Sequence, residues 1–176
     1  MDLVTEYNLD WPTWFERIRE VIAEKLGPAC ATIEHVGSTA VPGMVAKPII
    51  DLDVVIEPDA FETVKALLAE LGYRHEGDLG IPEREAFALD NADLAAALPP
   101  HHLYVCPRDS AELKRHLAFR DFLRAHSEWA SRLSELKRLL SERHGDDGEA
   151  YMAGKDALVR EITALAVQRA SGTGSA

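Results

Sequence analysis

The sequence predicts an α+β fold, in which a mixed β-sheet with flanking helices is followed by a C-terminal helical segment. Two patterns predict it: apolar residues recur at helical spacing near the start and through the last third, and short apolar runs bounded by Gly and Pro lie between. With 176 residues, 47% of them hydrophobic, the chain can bury a sizeable core. Because no linker or repeat divides it, we expect one domain over residues 1–170 and a flexible tail at 171–176.

The first helix is predicted from a capping box, in which Thr13 precedes Glu16 by three positions. Apolar residues then follow at helical spacing: Phe15, Ile18, Val21, Ile22 and Leu26. Gly27 and Pro28 end the pattern. This spacing indicates a helix with one buried face.

Five short runs have strand character, at residues 31–36, 49–56, 73–76, 85–89 and 101–106. Between the second and the third, Asp59 is a candidate N-cap for a helix that closes at Gly72. A loop is expected around residues 79–82. The run at 49–56 is almost continuously apolar, which is typical of a buried strand, yet two acids interrupt it.

The last third is predicted to be helical. Asp109 and Glu112 have the spacing of a capping box, and apolar residues continue the helical period to Leu140. The segment 145–148 breaks this period, and a final helix is expected from about Glu149.

The charge balance disfavours some partners. Lys and Arg number 19 against 30 Asp and Glu, a net charge of −11 that argues against nucleic acid and anionic membranes as ligands. The acidic start lacks the apolar segment of a signal peptide, and no run approaches the roughly 18 apolar residues that span a bilayer, so we expect a cytoplasmic protein. Cys30 and Cys106 lack metal-ribbon or redox spacing and are expected to be reduced, inert thiols.

A pair of carboxylates is the first candidate site. Asp51 and Asp53 lie two positions apart on a predicted strand, so their side chains point to the same face. Two carboxylates in an apolar strand repel one another unless a cation neutralises them, which suggests Mg²⁺ or Mn²⁺. The alternative is a solvent-exposed strand end that the two acids merely cap.

A tight turn precedes this pair. Gly37 and Ser38 follow a strand and lie 13 residues before Asp51. Glycine lets backbone approach a ligand closely, and free amides and hydroxyls can cradle phosphate. A Gly-Ser turn followed by an Asp-x-Asp strand is similar to the core motif of the polymerase-β-like nucleotidyltransferase superfamily.

A closer resemblance covers nearly the whole chain. The block from Ile33 to Asp51, IEHVGSTAVPGMVAKPIID, resembles the hallmark segment of the GrpB family. Further matches to that family are Asp10-Trp11-Pro12, His102-Leu103-Tyr104, the run FRDFLR at 119–124 and the pair Tyr151 and Lys155. The resemblance implies a nucleotidyltransferase-like fold.

The resemblance also implies site roles. Asp51 and Asp53 would hold the metal, and Lys47 would lie in the turn between the two motifs. Three residues would contact the phosphates of a nucleoside triphosphate: Gly37, Ser38 and Thr39. A later strand of the superfamily usually adds another acid, but here that strand reads HHLYV and contains no carboxylate.

His102 is the candidate that could replace this acid, as a ligand or a base, since its ordinary pKa of about 6.5 suits proton transfer. The alternative is a structural histidine. Tyr104 stands where the family commonly has a second His, and it shares a face with His102. His101 points to the opposite face and is assigned no role.

Other candidates divide between function and structure. His35 could orient the turn or belong to the strand. Arg120 and Arg124 share a helical face and could bind a triphosphate, or they could pair with acids such as Asp121. Arg120 is the stronger candidate of the two. Lys137 and Lys155 match family lysines but are expected at the surface.

These features lead to a divalent-metal-dependent nucleotidyltransferase that moves a nucleoside monophosphate from a triphosphate to an unidentified small-molecule or protein acceptor. An alternative is a nucleotide- or coenzyme-binding module that kept the fold and lost the transfer activity. A third is a metal-dependent phosphohydrolase that uses water as acceptor.

Overall fold

The structure is a computed structural model that describes residues 3–145 and 147–172. It contains two compact units. The sheet unit comprises Leu9–Val36 and Ile49–Lys114, and the helical unit comprises the described parts of Met1–Asn8, Gly37–Pro48 and Arg115–Ala176. Within the described ranges, no helix combines the length and the apolar character needed to cross a membrane.

A five-stranded mixed sheet forms the centre of the sheet unit. Its strands are β1 (Thr32–Val36), β2 (Ile50–Ile56), β3 (Tyr73–Gly77), β4 (Glu85–Leu89) and β5 (His101–Pro107). Their order across the sheet is β1-β2-β5-β4-β3. β2 and β5 are parallel and the other neighbours are antiparallel. The five strands predicted from the sequence are confirmed.

Three helices accompany the sheet: α1 (Trp11–Leu26), α2 (Phe61–Glu70) and α3 (Ala92–Ala97). α1 packs against β2 and α2. The predicted cap at Thr13 is wrong, because α1 already begins at Trp11, where Pro12 suits the first turn. Asp59 is not a cap either, since it lies in a 3₁₀ turn that precedes α2. The sequence pattern does not predict α3, whose N-cap Asn91 accepts a hydrogen bond from the amide of Leu94.

The core of the sheet unit lies between α1 and one face of the sheet, which we call the helix face. Phe15 of α1 stacks on His35 of β1, with ring centroids 4.7 Å apart. Apolar residues from the strands alternate onto the same face and are buried: Ile33, Leu52, Val54, Leu103 and Val105. The helix face thus takes alternate residues of β1, β2 and β5, and the opposite face carries polar residues together with buried Val55 and Cys106.

The fourth helix, α4 (Ala111–Ala125), begins in the sheet unit. The amide of Leu113 donates a hydrogen bond to Oγ of Ser110 over 3.1 Å, which makes Ser110 the N-cap. The predicted capping box at Asp109 is therefore wrong by one residue, because Ser110 supplies a hydroxyl at the position where the helix starts.

The helical unit contains the rest of α4 together with α5 (Ser127–His144) and α6 (Gly148–Gly172). These helices bury a common core with two residues of the segment Gly37–Pro48: Val41, Met44, Phe122, Leu123, Leu133, Leu158, Ile162 and Ala166. The helical conformation is interrupted at His126, between α4 and α5. The apolar residues keep their helical spacing through this point, so the sequence pattern does not reveal the boundary. α6 includes Ser171 and Gly172, while residues 173–176 of the expected tail lie outside the described residues.

Candidate functional site

The polar face of the sheet, opposite the helix face, gathers the predicted metal and base residues. Asp51 is paired with Val36 of β1 and His102 of β5. Asp53 is paired with Glu34 of β1 and Tyr104 of β5. Paired residues on neighbouring strands share a face, so four residues surround the acids as two adjacent rows across three strands.

The two acids differ in exposure. Asp53 is completely buried, whereas the side chain of Asp51 is 32% exposed. Nδ1 of His102 donates a hydrogen bond to Oδ1 of Asp51 over 2.9 Å, and the imidazole is about half exposed. Because Asp53 is buried within the strand, a solvent-exposed strand end does not describe the pair.

The hydroxyl of Tyr104 lies in the field of this cluster. Burial is the main cause that raises the pKa of Tyr104, and the negative charges of Asp51 and Asp53 add to it. The positive charge of Arg84 acts in the opposite direction. Three charged side chains therefore act on one phenol hydroxyl of the polar face.

The donor set fits a hard divalent cation that also binds substrate oxygens. Mg²⁺ is commonly held in proteins by one or two carboxylates together with the phosphates of its substrate. Asp51 and Asp53 supply two carboxylates on one face, about 7 Å apart along the strand. Among residues 3–145 and 147–172, no group of three or more His, Cys, Asp or Glu side chains is arranged to hold a metal ion.

The turn that follows β1 belongs to the helical unit. Gly37 has φ +71° and ψ −168°, a backbone conformation that is essentially restricted to glycine. A 3₁₀ turn then spans Ser38–Ala40, in which Thr39 is buried. The glycine is thus required by the backbone as well as suited to a ligand.

A buried lysine holds this turn. Nζ of Lys137 donates hydrogen bonds to Oγ of Ser38 over 2.6 Å and to the carbonyl oxygen of Val45 over 2.9 Å. Only 4% of Lys137 is exposed, so the expectation that it lies at the surface is wrong. Lys137 lies on α5 with its ammonium group directed at the turn. Lysine usually lies in solvent, but here the hydrogen bonds to the turn accompany its burial.

The other basic side chains predicted to bind phosphate in the helical unit have different partners. Nε of Arg124 donates a hydrogen bond to the carbonyl oxygen of Ala40 over 2.8 Å. Nε of Arg120 pairs with Asp121 over 2.7 Å, as the ion-pair alternative expects. Nζ of Lys47 lies 5.0 Å from the ring centroid of Tyr151. Arg124 thus contacts the turn, although the sequence favours Arg120 of the two.

Two histidines have structural surroundings. His35 lies on the helix face, against Phe15, and so points away from the acids. Nδ1 of His101 faces the carbonyl oxygen of Pro99 over 2.7 Å, and Nε2 lies 2.6 Å from the hydroxyl of Tyr73. Because a carbonyl only accepts, Nδ1 carries the proton and the phenol donates to Nε2. Both ring nitrogens of His101 therefore have structural partners.

Two residues of the polar face are absent from the sequence-based candidates. Glu34 precedes His35 in β1, and its register places it next to Asp53. Arg84 precedes β4, and its guanidinium carbon lies 4.4 Å from the ring centroid of Tyr104. Counting alternate residues along the run at 31–36 would identify Glu34, if the strand order were known, whereas Arg84 lies outside the run at 85–89 and has no such signal.

Comparison with known proteins identifies relatives over most of the chain. The sequence pattern of the family described as GrpB protein matches residues 3–165. UPF0157 protein YqkA of Bacillus subtilis is 34% identical over 88% of this chain and 44% of its own length. UPF0157 protein PA4798 of Pseudomonas aeruginosa is 37% identical, over 89% of this chain and 64% of its own length. The chain therefore spans less than two thirds of these two relatives.

Solved structures of similar fold include a member of the same family. The crystal structure of conserved protein GrpB from Enterococcus faecalis matches with a TM-score of 0.82 and 32% identity, over 94% of this chain and 98% of that one. Cid1 in complex with the UTP analogue UMPNPP matches with a TM-score of 0.51 and 12% identity, over 79% of this chain and 41% of that one. At this identity the likeness to Cid1 is one of fold alone, and that fold is nucleotidyltransferase-like.

Proposed function

This chain belongs to the GrpB family, and from that premise we propose that it is a divalent-metal-dependent nucleotidyltransferase. It moves a nucleoside monophosphate from a nucleoside triphosphate to an acceptor hydroxyl or amine. The observation that carries the proposal is the pair of Asp51 and Asp53 on one face of β2, with Asp53 buried and Asp51 bonded to His102.

Asp51 and Asp53 hold Mg²⁺ or Mn²⁺ in this proposal. The cation, when bound, supplies positive charge that offsets the charge of the phosphates and orients them. This charge matters more to Asp53 than to Asp51, because a buried carboxylate beside a second one is costly to keep ionised. The complex of Cid1 with a UTP analogue supports a nucleotide as the ligand of this fold.

The phosphates are bound by the turn that begins at Gly37. Its backbone amides and hydroxyls can donate to anionic oxygens, as turn amides do in other phosphate sites. The three residues proposed to do so are Gly37, Ser38 and Thr39. Lys137 places an ammonium group on Ser38, which adds positive charge to the turn. Lys47 and Arg120 remain proposed phosphate ligands from the same unit.

His102 is the proposed base. In its neutral form the proton lies on Nδ1, toward Asp51, so Nε2 carries the lone pair that can accept a proton from the acceptor. The acceptor oxygen or nitrogen then bonds to the α-phosphorus, the bond from that phosphorus to the bridging oxygen breaks, and pyrophosphate leaves. The same hydrogen bond also orients Asp51, as residues beside metal ligands commonly do.

A non-catalytic nucleotide- or coenzyme-binding module is the second candidate. The β5 residues that flank Asp51 and Asp53 are His102 and Tyr104, so neither adds a third carboxylate. A binding module needs only the affinity for the nucleotide, and such a site tolerates the loss of an acid that activates the acceptor.

Product analysis separates these functions. The protein is incubated with Mg²⁺, each of the four nucleoside triphosphates labelled at the α-phosphate, and a fractionated cell extract as the acceptor source. We expect label to appear in a new species with one pyrophosphate per transfer, and to be lost in Asp53→Asn but kept in Asp59→Asn, an exposed acid of the same unit. Label that stays in the triphosphate despite tight binding contradicts transfer and favours the binding module. Label that appears as free monophosphate indicates a phosphohydrolase.

A further inference from the structure

Arg84, in the sheet unit, has a buried donor without a hydrogen-bond acceptor among the described residues. It lies two positions before Ala86, which is paired with Tyr104, so it extends the polar face by one row. The guanidinium stacks on the Tyr104 ring, with its central carbon 4.4 Å from the ring centroid. Stacking of this kind fixes the plane of an arginine and leaves its edge to other partners.

The edge of this arginine is incompletely satisfied. Nε of Arg84 is buried and has no hydrogen-bond partner within residues 3–145 and 147–172. A buried donor without an acceptor is destabilising, and natural proteins keep few of them. An arginine whose plane is fixed and whose N–H edge lacks an acceptor is suited to a two-pronged contact with a phosphate or carboxylate.

The residues near Arg84 indicate that its ligand is a phosphate. Arg84 lies over the ring of Tyr104, and Tyr104 is paired with Asp53 of β2, two positions from Asp51. The arginine is therefore a neighbour of the acids that would hold a divalent cation. A metal-bound phosphate carries its remaining negative charge beside that cation, where an arginine can meet it.

We propose that Arg84 binds a phosphate group of the ligand that occupies the polar face of the sheet. The residues that carry this role all belong to the sheet unit. It rests on the proposed function for the identity of the phosphate donor as a nucleoside triphosphate. Binding of inorganic pyrophosphate through Arg84 needs neither a nucleoside nor transfer, so the two proposals can fail separately.

The test is calorimetric titration of inorganic pyrophosphate in chelator and in Mg²⁺, with the four nucleoside triphosphates titrated in parallel. Arg84→Gln is expected to weaken pyrophosphate binding about ten- to hundredfold, the usual size of a charged hydrogen-bond pair. The pyrophosphate affinity of Arg84→Lys should lie between those of the wild type and Arg84→Gln, because lysine keeps the positive charge and loses the paired N–H donors of the guanidinium. Arg74→Gln is the matched control, since Arg74 is exposed on β3 and already pairs with Asp90 and Glu76.

Each outcome decides the proposal. Pyrophosphate binding that is equal in the wild type and in Arg84→Gln overturns it, and so does the absence of pyrophosphate binding by the wild type. A loss for triphosphates with no loss for pyrophosphate assigns Arg84 to the base or ribose and also overturns it. If Arg84→Gln fails to fold, as judged by circular dichroism, Arg84→Lys decides, with weaker binding expected. Pyrophosphate binding that depends on Arg84 without any metal-dependent triphosphate binding keeps this inference and contradicts the transferase.

Discussion

We expect Asp51→Asn and Asp53→Asn each to lower the affinity of the protein for Mn²⁺ by at least about 100-fold. Loss of a group that only orients a metal ligand already costs about 10- to 100-fold, and these two carboxylates are proposed to be the ligands themselves. An amide keeps the shape of the side chain and removes the charge that attracts the cation. Calorimetric titration with Mn²⁺ measures the affinity directly and requires neither nucleotide nor acceptor.

The matched control for these variants is Asp59→Asn. Asp59 is an exposed acid in the 3₁₀ turn before α2, so the same change there should leave Mn²⁺ binding within error of the wild type. Circular dichroism establishes that each variant is folded. Unchanged Mn²⁺ affinity in folded Asp51→Asn and Asp53→Asn would contradict the metal site and leave the two acids with a purely structural role.

We expect Lys137→Met to lower the free energy of unfolding by about 2 to 4 kcal/mol. The variant removes a buried ammonium group and its hydrogen bonds to Ser38 and to the carbonyl oxygen of Val45. The carbonyl of Val45 then loses a charged donor in a buried position, which is the larger part of the loss. Urea denaturation followed by circular dichroism measures the change.

Two further variants locate the origin of this loss. Lys155→Met makes the same substitution on α6, where the ammonium lies 5.9 Å from the Tyr151 ring, and we expect at most about 1 kcal/mol of destabilisation. Ser38→Ala removes one acceptor of Lys137, and its loss of unfolding free energy should lie between those of Lys155→Met and Lys137→Met. Equal denaturation midpoints for Lys137→Met and the wild type would show that the lysine does not support the turn.

The strands are predictable because their own residues indicate them. The run that forms β2 is apolar except at two same-face positions, and alternation alone places Asp51 and Asp53 together. The strand order is a different matter: the parallel pairing of β2 with β5 brings His102 beside Asp51 across 51 positions of sequence. No local pattern encodes that pairing, so it follows only from the family resemblance.

The errors arise where two local signals compete. Thr13 and Glu16 satisfy a capping box, but Pro12 and the preceding Asp10 offer an earlier start, and burial of Trp11 favours it. Packing decides between such starts, and packing is not local. The break at His126 is hidden for the same reason, since the apolar period continues through it.

The positions of the basic side chains are the hardest to predict from the sequence. Lysine is usually exposed, so nothing in the residues around Lys137 indicates that it would be buried against Ser38. Arg84 lies just outside a strand, in a loop where arginine has no expected partner. Only the fold gives it the Tyr104 ring and the neighbouring acids.

The central claim is that the chain binds a nucleoside triphosphate through a divalent cation held by Asp51 and Asp53. The most direct measurement is calorimetric titration of ATP, GTP, CTP and UTP, first with Mg²⁺ and then with chelator. The claim predicts binding that is selective for a base, needs the cation and is abolished in Asp53→Asn. Absence of binding by every triphosphate in Mg²⁺, or binding that chelator and Asp53→Asn leave unchanged, would contradict it.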